Sequence, residues 1–515
     1  MQAPSSETDA METIRDAAAD SVPLPVRTGL PVPRPHARLR LKAPACPGRA
    51  ATQVTMIRIF NHYVPRATIA SILFDVAMVF FVIVAVLMLE AGSLNDAMPL
   101  AGTHVVSLAA CLFVINSASG LYEKHTSSSF GQSCVRAAIA LVVALPLTWI
   151  IFGLLPADLP NRVAVQYSAL AGVAAVILRR VYVAHWAAVP RTRTRILVFG
   201  AGPAAKTVGS TLKAADPNAH VVGYIAGPNE KEPAVPQRDL LPLEGTLPET
   251  ARKLGVDEIV VALTERRAGS MPLRQLLDCK LHGIKVYDLN THFEKTLGQI
   301  RIDYVNASWL IFGDGFNQGA ARTFIKRVFD IVCASLLTVL ALPLMLLTAI
   351  AIKLDSRGPV FYTQERVGRN GRVFRVIKFR SMRTDAEKDG KPRWATTNDD
   401  RITRVGHLIR LARIDELPQL LNVLKGEMSL VGPRPERPYF VEQLTQEIPF
   451  FAVRHSVKPG VTGWAQVRYQ YGSTIEDSQE KLQYDLYYVK NHTLFLDLVV
   501  LFETIGVVLT GKGAR

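Results

Sequence analysis

Cysteine is scarce: Cys46, Cys111, Cys134, Cys279 and Cys333 are the only five in 515 residues, and they form no CxxC pair. Their scarcity and spacing exclude a disulfide framework and offer no zinc site. The thiols read as reduced or buried. Charge is also sparse, at 20% against 49% apolar residues, which is rich in apolar content for a soluble chain and points to a membrane. Acidic residues are outnumbered, leaving a formal net charge of +15. No basic motif interleaved with aromatics accompanies that excess, so no nucleic acid partner is expected. A basic face against anionic lipid is the expected use.

What is present divides the chain. Residues 1–55 are rich in Pro, Ala and Arg without periodicity and read as a disordered tail. Four apolar runs follow near 68–90, 102–121, 136–155 and 164–183, each about long enough to cross a hydrocarbon core of roughly 30 Å. They predict a four-helix transmembrane bundle over 56–185. Arg58 and Arg66 precede it, Lys124 and Arg136 sit in its second loop, and Arg179, Arg180, Arg191, Arg193 and Arg195 follow it. The other two loops carry Glu90, Asp96, Asp158 and a single Arg162. Since cytoplasmic loops accumulate Lys and Arg, both ends of this multi-pass bundle are expected in the cytoplasm.

Over 190–300 the pattern changes to alternating strand and helix. "RILVFGAGPAAKTVGSTLKA" reads as an apolar strand, a Gly-rich turn and a helix, and "HVVGYIAG", "DEIVVAL" and "GIKVYDL" read as further strands. A Rossmann-like, doubly wound parallel sheet is the expectation. Gly200, Gly202 and Ala205 fit G-x-G-x-x-A, but "YIAGPNE" has Gly and Pro where the second strand should end in a ribose-binding acid. A structural or regulatory domain without cofactor is favoured over a nucleotide site, and no cofactor-binding residue is assigned. The absence of any Tyr-x-x-x-Lys argues against a membrane-anchored nucleotide-sugar epimerase or dehydratase.

A linker over 301–323 leads to "FIKRVFDIVCASLLTVLALPLMLLTAIAIK", residues 324–353, which is long enough to span a bilayer. Yet Arg322, Lys326 and Arg327 lie at its start and Lys353, Arg357, Arg366, Arg369 and Arg372 at its end or beyond, so both ends favour the cytoplasm. Pro343 removes a backbone donor mid-segment. A re-entrant, Pro-broken helix that dips into one leaflet and returns satisfies both observations.

In residues 354–515 a phosphoryl-transfer site would need cations for phosphate oxygens, carboxylates to hold a metal or attack phosphorus, and a helix N-terminus. Lys378, Arg380, Arg401, Arg410 and Arg434 are candidates for the first, Asp415 and Glu416 for the second, and a helix beginning near Leu417 and ending at Gly426 for the third. An Asp-Glu pair alone is equally a helix cap. A non-catalytic scaffold that only binds membrane is the competing reading.

The motifs "GPVFYTQERVGRNGRVFRVIKFRSM", "RIDELPQLLNVLKGEMSLVGPRP" and "KPGVTGWAQV", in this order after a Pro-interrupted hydrophobic segment, resemble the bacterial sugar transferase family, the monotopic polyprenyl-phosphate phosphoglycosyl transferases. The bundle and sheet domain resemble the large members that start exopolysaccharide or O-antigen assembly. The resemblance implies an α/β-type catalytic domain over 354–515 and transfer of a hexose 1-phosphate from a UDP-sugar to undecaprenyl phosphate, releasing UMP. It implies Asp415 as nucleophile, Glu416 as its partner near a Mg²⁺ that both carboxylates would hold, and Lys378 in the catalytic set. It also implies Arg380, Arg401, Arg410 and Arg434 as substrate-binding residues. It further implies a multi-pass protein of the bacterial inner membrane, in contact with its lipid and with the soluble domains cytoplasmic, and a homodimer is expected.

Overall fold

The computed structural model describes residues 56–59, 62–91, 162–185, 194–215, 219–263 apart from 231, 271–305, 315, 316, 319–386, 401–469, 472 and 474–510, with isolated helical positions between 115 and 149. The tail expected over 1–55 and most of the second and third apolar runs lie outside these residues. Strands β1 (Met56–Ile59) and β2 (His62–Pro65) form an antiparallel hairpin leading into helix α1 (Arg66–Ala91), which packs on α2 (Arg162–His185). Asp75 of α1, 2% exposed, accepts at 2.6 Å from Arg179 Nη1 of α2, and the same guanidinium lies 4.0 Å from the centre of the Phe74 ring. A buried charge is tolerated among apolar helices only when paired in this way. Of the four-helix bundle expected, the described residues therefore contain two packed helices, with shorter apolar stretches at Thr68–Val82 and Leu170–Arg179.

The next unit is a parallel sheet of β3 (Thr194–Phe199), β4 (Ala219–Ile225), β5 (Glu258–Val261) and β6 (Lys285–Asp288), in the order β4-β3-β5-β6. Its connecting helices are α3 (Pro203–Ala215), α4 (Leu247–Lys253), α5 (Leu273–Leu281) and α6 (Leu289–Leu297). Side chains alternate across β3: Ile196 and Val198 face Ala204, Val208, Leu289 and Phe293, while Leu197 and Phe199 face Leu247, Ala251, Leu276 and Cys279. Both faces are thus covered by helices, which is why β3 and β5 are apolar at nearly every position. Gly200 turns the chain at φ +133°, where an added Cβ would lie 2.6 Å from the Ala262 carbonyl oxygen, so only glycine fits.

Helix α7 (Gly319–Asp355) has 37 residues and is, among those described, the one helix long and apolar enough to cross a membrane. It starts five residues before the expected segment and remains helical through Pro343. Pro343 lacks one N–H, and the hydroxyls of Thr338 and Thr348 bond back to the carbonyls of Ala334 and Leu344 on either side. Its apolar middle is exposed, as at Val339, Leu340 and Leu347, while both ends hold the C-terminal part of the chain.

That part contains the hairpin β7 (Phe361–Val367) and β8 (Val373–Phe379), then α8 (Arg404–Leu411), a 3₁₀ turn at Ile414–Glu416, and α9 (Gln419–Lys425). After these come β9 (Ser429–Val431), α10 (Pro438–Glu447), β10 (Gly460–Thr462), α11 (Trp464–Arg468), α12 (Ile475–Asn491) and α13 (Leu494–Thr510). It is mainly helical, with one antiparallel and one parallel strand pair. That is less sheet than the α/β-type domain expected. Its core joins Val376, Leu420, Val423, Met428, Leu430, Phe440, Trp464, Leu486 and Tyr487, and it takes in Ile300 from the end of the expected sheet domain and Ile302 and Val305 from the start of the expected linker. The chain leaving the parallel sheet therefore belongs to the packed core of the C-terminal part.

Candidate active site

The turn carrying the acidic pair is built by local backbone chemistry. Arg413, at φ +57°, ends the run from α8 in a left-handed conformation, and Pro418 sits at the N-cap of α9. Between them Asp415 and Glu416 fall on a 3₁₀ turn, each 8% exposed. The helix therefore starts at Gln419, two residues later than expected, and ends as expected at Gly426, φ +89°. Asn422 anchors α9 to β8, accepting from the Ile377 N–H at 3.0 Å and donating to the Arg375 carbonyl at 2.8 Å. This fixes Lys378, one residue further along β8, against the turn.

The two carboxylates have different surroundings. Glu416 Oε1 accepts from Lys378 Nζ at 2.9 Å and from Arg434 Nη2 at 2.8 Å. Burial pushes its carboxyl up, but Arg434 and Lys378 outweigh that and hold it well below the usual carboxylate range. Asp415 makes no hydrogen bond or ion pair among the described residues. Burial first, and then repulsion from Glu416, raise its pKa above the ordinary aspartate value, against the charges of Lys378, Arg410 and Arg434. Burial likewise lowers that of Lys378, with Glu416 opposing. The result is one carboxylate clamped by two cations beside one that is ionisable and unpaired.

Three of the five basic candidates are placed with or near this pair. Lys378 and Arg434 touch Glu416, and Arg410 acts on Asp415 through its charge. Arg401 donates to the Ala386 carbonyl, bordering residues 387–400, which are outside those described. Arg380 is directed elsewhere: its guanidinium, on a residue 5% exposed, donates to the carbonyls of Ser356 and Arg357 and to Ser356 Oγ. It braces the turn after α7. Strand alternation separates it from a position one residue away, but Lys378 and Arg380 share a face in sequence, and only the contact with Ser356 and Arg357 distinguishes them.

The donor set fits the Mg²⁺ expected. Asp415 and the second oxygen of Glu416 are hard ligands of the kind Mg²⁺ combines with phosphate oxygens and water. No group of three or more His, Cys, Asp and Glu residues suited to a metal occurs among the described residues, so the pair would leave most positions to such ligands.

Sequence reasoning singled out neither Gln466 nor Arg454. Gln466 Oε1 accepts from Arg434 Nη1 at 3.0 Å. Arg454, paired with buried Asp485, donates to the Arg434 carbonyl at 2.9 Å. Asp330 of α7 accepts from Ser429 Oγ, the Leu430 N–H and Lys326 Nζ, while Arg327 caps α9 through the carbonyls of Val423 and Leu424. The three-residue spacing of Arg327 and Asp330 reads in sequence as a pair near the membrane surface or an i,i+3 salt bridge, whereas Asp330 pairs with Lys326; Gln466 lies inside a quoted motif without a readable role.

Residues 321–511 match the family model described as bacterial sugar transferase. An Aeromonas hydrophila UDP-N-acetylgalactosamine-undecaprenyl-phosphate N-acetylgalactosaminephosphotransferase is 45% identical over 259 residues, 50% of this chain and 60% of that protein. A Caulobacter vibrioides UDP-glucose:undecaprenyl-phosphate glucose-1-phosphate transferase is 45% identical over 192 residues, 37% of this chain and 71% of the relative. The chain belongs to the bacterial sugar transferase family. A Klebsiella pneumoniae protein with the same name as the Caulobacter one is 38% identical over 260 residues, 50% of this chain and 55% of its own length. The match thus spans little more than half of the Aeromonas and Klebsiella sugar transferases. All of the site residues named here lie within the family segment.

Proposed function

We propose that this sugar transferase moves a hexose 1-phosphate from a UDP-sugar to undecaprenyl phosphate at the cytoplasmic face of the inner membrane, as the opening step of exopolysaccharide or O-antigen-type assembly. The unpaired carboxylate of Asp415 beside a clamped Glu416 is the observation that supports it. Asp415 oxygen attacks the phosphorus that bears the sugar, the bond to the UMP oxygen breaks, and UMP leaves with that electron pair. An oxygen of undecaprenyl phosphate then attacks the phosphosugar-aspartyl phosphorus and releases the carboxylate. Two anionic substrates thereby meet one carboxylate in turn, which is the advantage of covalent catalysis. Lys378 and Arg434 hold Glu416 ionised and face charge on phosphoryl oxygens, with Arg410 beside them. Mg²⁺ bound by Asp415 and Glu416 would neutralise diphosphate charge.

The membrane placement rests on α7. Arg327 and Asp330 near its start, and Asp355, which accepts from the Val405 N–H at 3.2 Å, hold the same C-terminal part. A straight spanning helix has its ends on opposite sides of a core about 30 Å thick, so one soluble domain cannot hold both. A re-entrant helix bent around Pro343 meets the constraint and keeps the site where the lipid phosphate lies.

UMP release from a panel of UDP-sugars, with Mg²⁺ and undecaprenyl phosphate, tests the reading. Asp415→Asn is expected to lower the rate by roughly 10⁴-fold or more, the scale for removing a covalent nucleophile, and Glu416→Gln by about 10²- to 10³-fold. Full activity in Asp415→Asn, or a silent wild type with every donor, would overturn it.

A further inference from the structure

Arg434 is fixed at both ends of its guanidinium. Nη2 meets Glu416, and Nη1 meets Gln466 Oε1 at 3.0 Å. Because arginine only donates, the Gln466 amide must turn its oxygen toward Arg434, which leaves Nε2 on the other side. That nitrogen is buried without a hydrogen-bond partner. An unmet buried donor costs about 1–3 kcal/mol, so the orientation does not serve stability at that atom.

The helix that carries Gln466 is itself fastened on two sides. At its start, a Cβ on Gly463 would lie 2.2 Å from the Gly432 carbonyl oxygen, so α11 abuts the Gly432–Pro435 turn that presents Arg434. The Gly432 N–H donates to the Thr462 carbonyl and the Gly460 N–H to that of Pro433. On the other side, Trp464, 2% exposed, donates from Nε1 to the Gly298 carbonyl at 2.8 Å. Gly298 caps α6 of the parallel-sheet unit at φ +63°, and a Cβ there would lie 2.9 Å from Trp464 Cζ2. The indole also stacks on Tyr487, with ring centres 5.9 Å apart. A continuous series of contacts thus runs from Gly298 through Trp464, Gln466 and Arg434 to Glu416.

We infer that Gln466 is a positioning residue that aims Arg434 at the reacting phosphoryl group, and that the parallel-sheet unit sets this aim through Trp464. The inference rests on the transferase reading for what Arg434 does there. It assigns the sheet unit a part in catalysis that needs no bound nucleotide: the carbonyl at the end of α6 holds the short helix whose side chain orients a cation of the site.

The test uses the full chain in membranes, with Gln466→Met, Gln466→Glu, Trp464→Phe and Arg434→Met. Methionine keeps the bulk of Gln466 without its acceptor, and phenylalanine keeps a ring without the N–H. Gln466→Met is expected to lower kcat for UMP release about 10-fold with donor KM within about twofold, less than the roughly 100-fold that a full 1 Å misplacement brings. Gln466→Glu, which keeps an acceptor, should retain most of kcat. Trp464→Phe should lower kcat in the same sense, and Gln466→Met should add no further loss in the Arg434→Met background. Phenylglyoxal modification of Arg434, followed by peptide mass spectrometry, should be several-fold faster in Gln466→Met and Trp464→Phe than in wild type. Additive losses with Arg434→Met, or unchanged Arg434 labelling in Gln466→Met, would overturn the positioning role. Unchanged labelling and kcat in Trp464→Phe would overturn the role of the sheet unit. A wild type that releases no UMP sinks the transferase reading, and labelling alone then decides the positioning.

Discussion

Asp415 and Glu416 are neighbours on one turn, equally buried, and what separates them is their partners. Glu416 has two cations within 2.9 Å, while Asp415 has none bonded to it. Adjacent carboxylates on a 3₁₀ turn point in different directions, so only one of them can meet both Lys378 and Arg434. The residue types were legible in the sequence because phosphoryl transfer restricts them to carboxylates and cations. The division of labour between them was not, since it depends on a strand and a turn brought beside α9 through Asn422. His292 shows the same limit. It is 1% exposed on α6, and both ring nitrogens lack partners. Burial first, then the Lys295 charge, pushes the imidazole down to about 3. In the unfolded chain it titrates near 6.5, so between these values the unfolded state binds the extra proton and stability falls as pH falls. Above about pH 6.5 both states are neutral and the contribution is flat. From pH 6.5 to 5 the wild type is expected to lose up to about 2 kcal/mol through this residue, at roughly 1.4 kcal/mol per pH unit. His292→Leu should flatten that part of the curve, as seen in urea unfolding of the two proteins at each pH; parallel curves would contradict it.

At the scale of elements, the alternating pattern over 190–300 was enough to place all four parallel strands, because buried parallel strands are apolar along their whole length and are bounded by glycine turns. The apolar segment of α7 was equally legible, though not its start at Gly319 or its continuation through Pro343. Charge on both flanks leads to the expectation that its ends lie on one side of the membrane, and Asp330 and Asp355 both contact the C-terminal part. A cysteine-free background carrying either Ala320→Cys or Arg357→Cys offers a direct check with a membrane-impermeant thiol reagent. Both positions are expected to label in inside-out vesicles and neither in intact spheroplasts. Labelling of the two from opposite sides would establish a spanning helix. The Gly-rich turn of β3 and α3 was legible as a motif but not in its use. Glu230, from the very stretch that lacks a ribose-binding acid, accepts from the Ala201, Gly202 and Gly227 N–H groups at 2.6, 3.3 and 3.0 Å. The amides that would meet a pyrophosphate are engaged by a carboxylate of the chain itself.

For the whole molecule, the least legible feature is how the sheet unit joins the C-terminal part. Residues 301–305 looked like the start of a linker, yet Ile302 and Val305 enter the C-terminal core together with Ile300, whose N–H donates to the Gln483 carbonyl. Contacts between residues far apart in sequence leave no local period to read. Charge pairing across the same junction is the sharpest instance: Lys490 Nζ of α12 lies 2.6 Å from Glu294 Oε1 of α6, with side chains 14% and 8% exposed. Removing one member of so buried a pair costs about 3–5 kcal/mol, whereas exchanging the two keeps the charges matched. Glu294→Gln and Lys490→Met are each expected to lower stability on that scale, and the exchanged pair Glu294→Lys with Lys490→Glu to recover more than half of it. If the junction couples the two units as its core contacts imply, the wild type should unfold in one transition and the single variants in two, with the sheet unit and the C-terminal part separating. Calorimetry of the full chain distinguishes these. Two transitions already in the wild type would mean that the junction is a contact between independent bodies, and the path from Gly298 to Glu416 would then lose its mechanical basis.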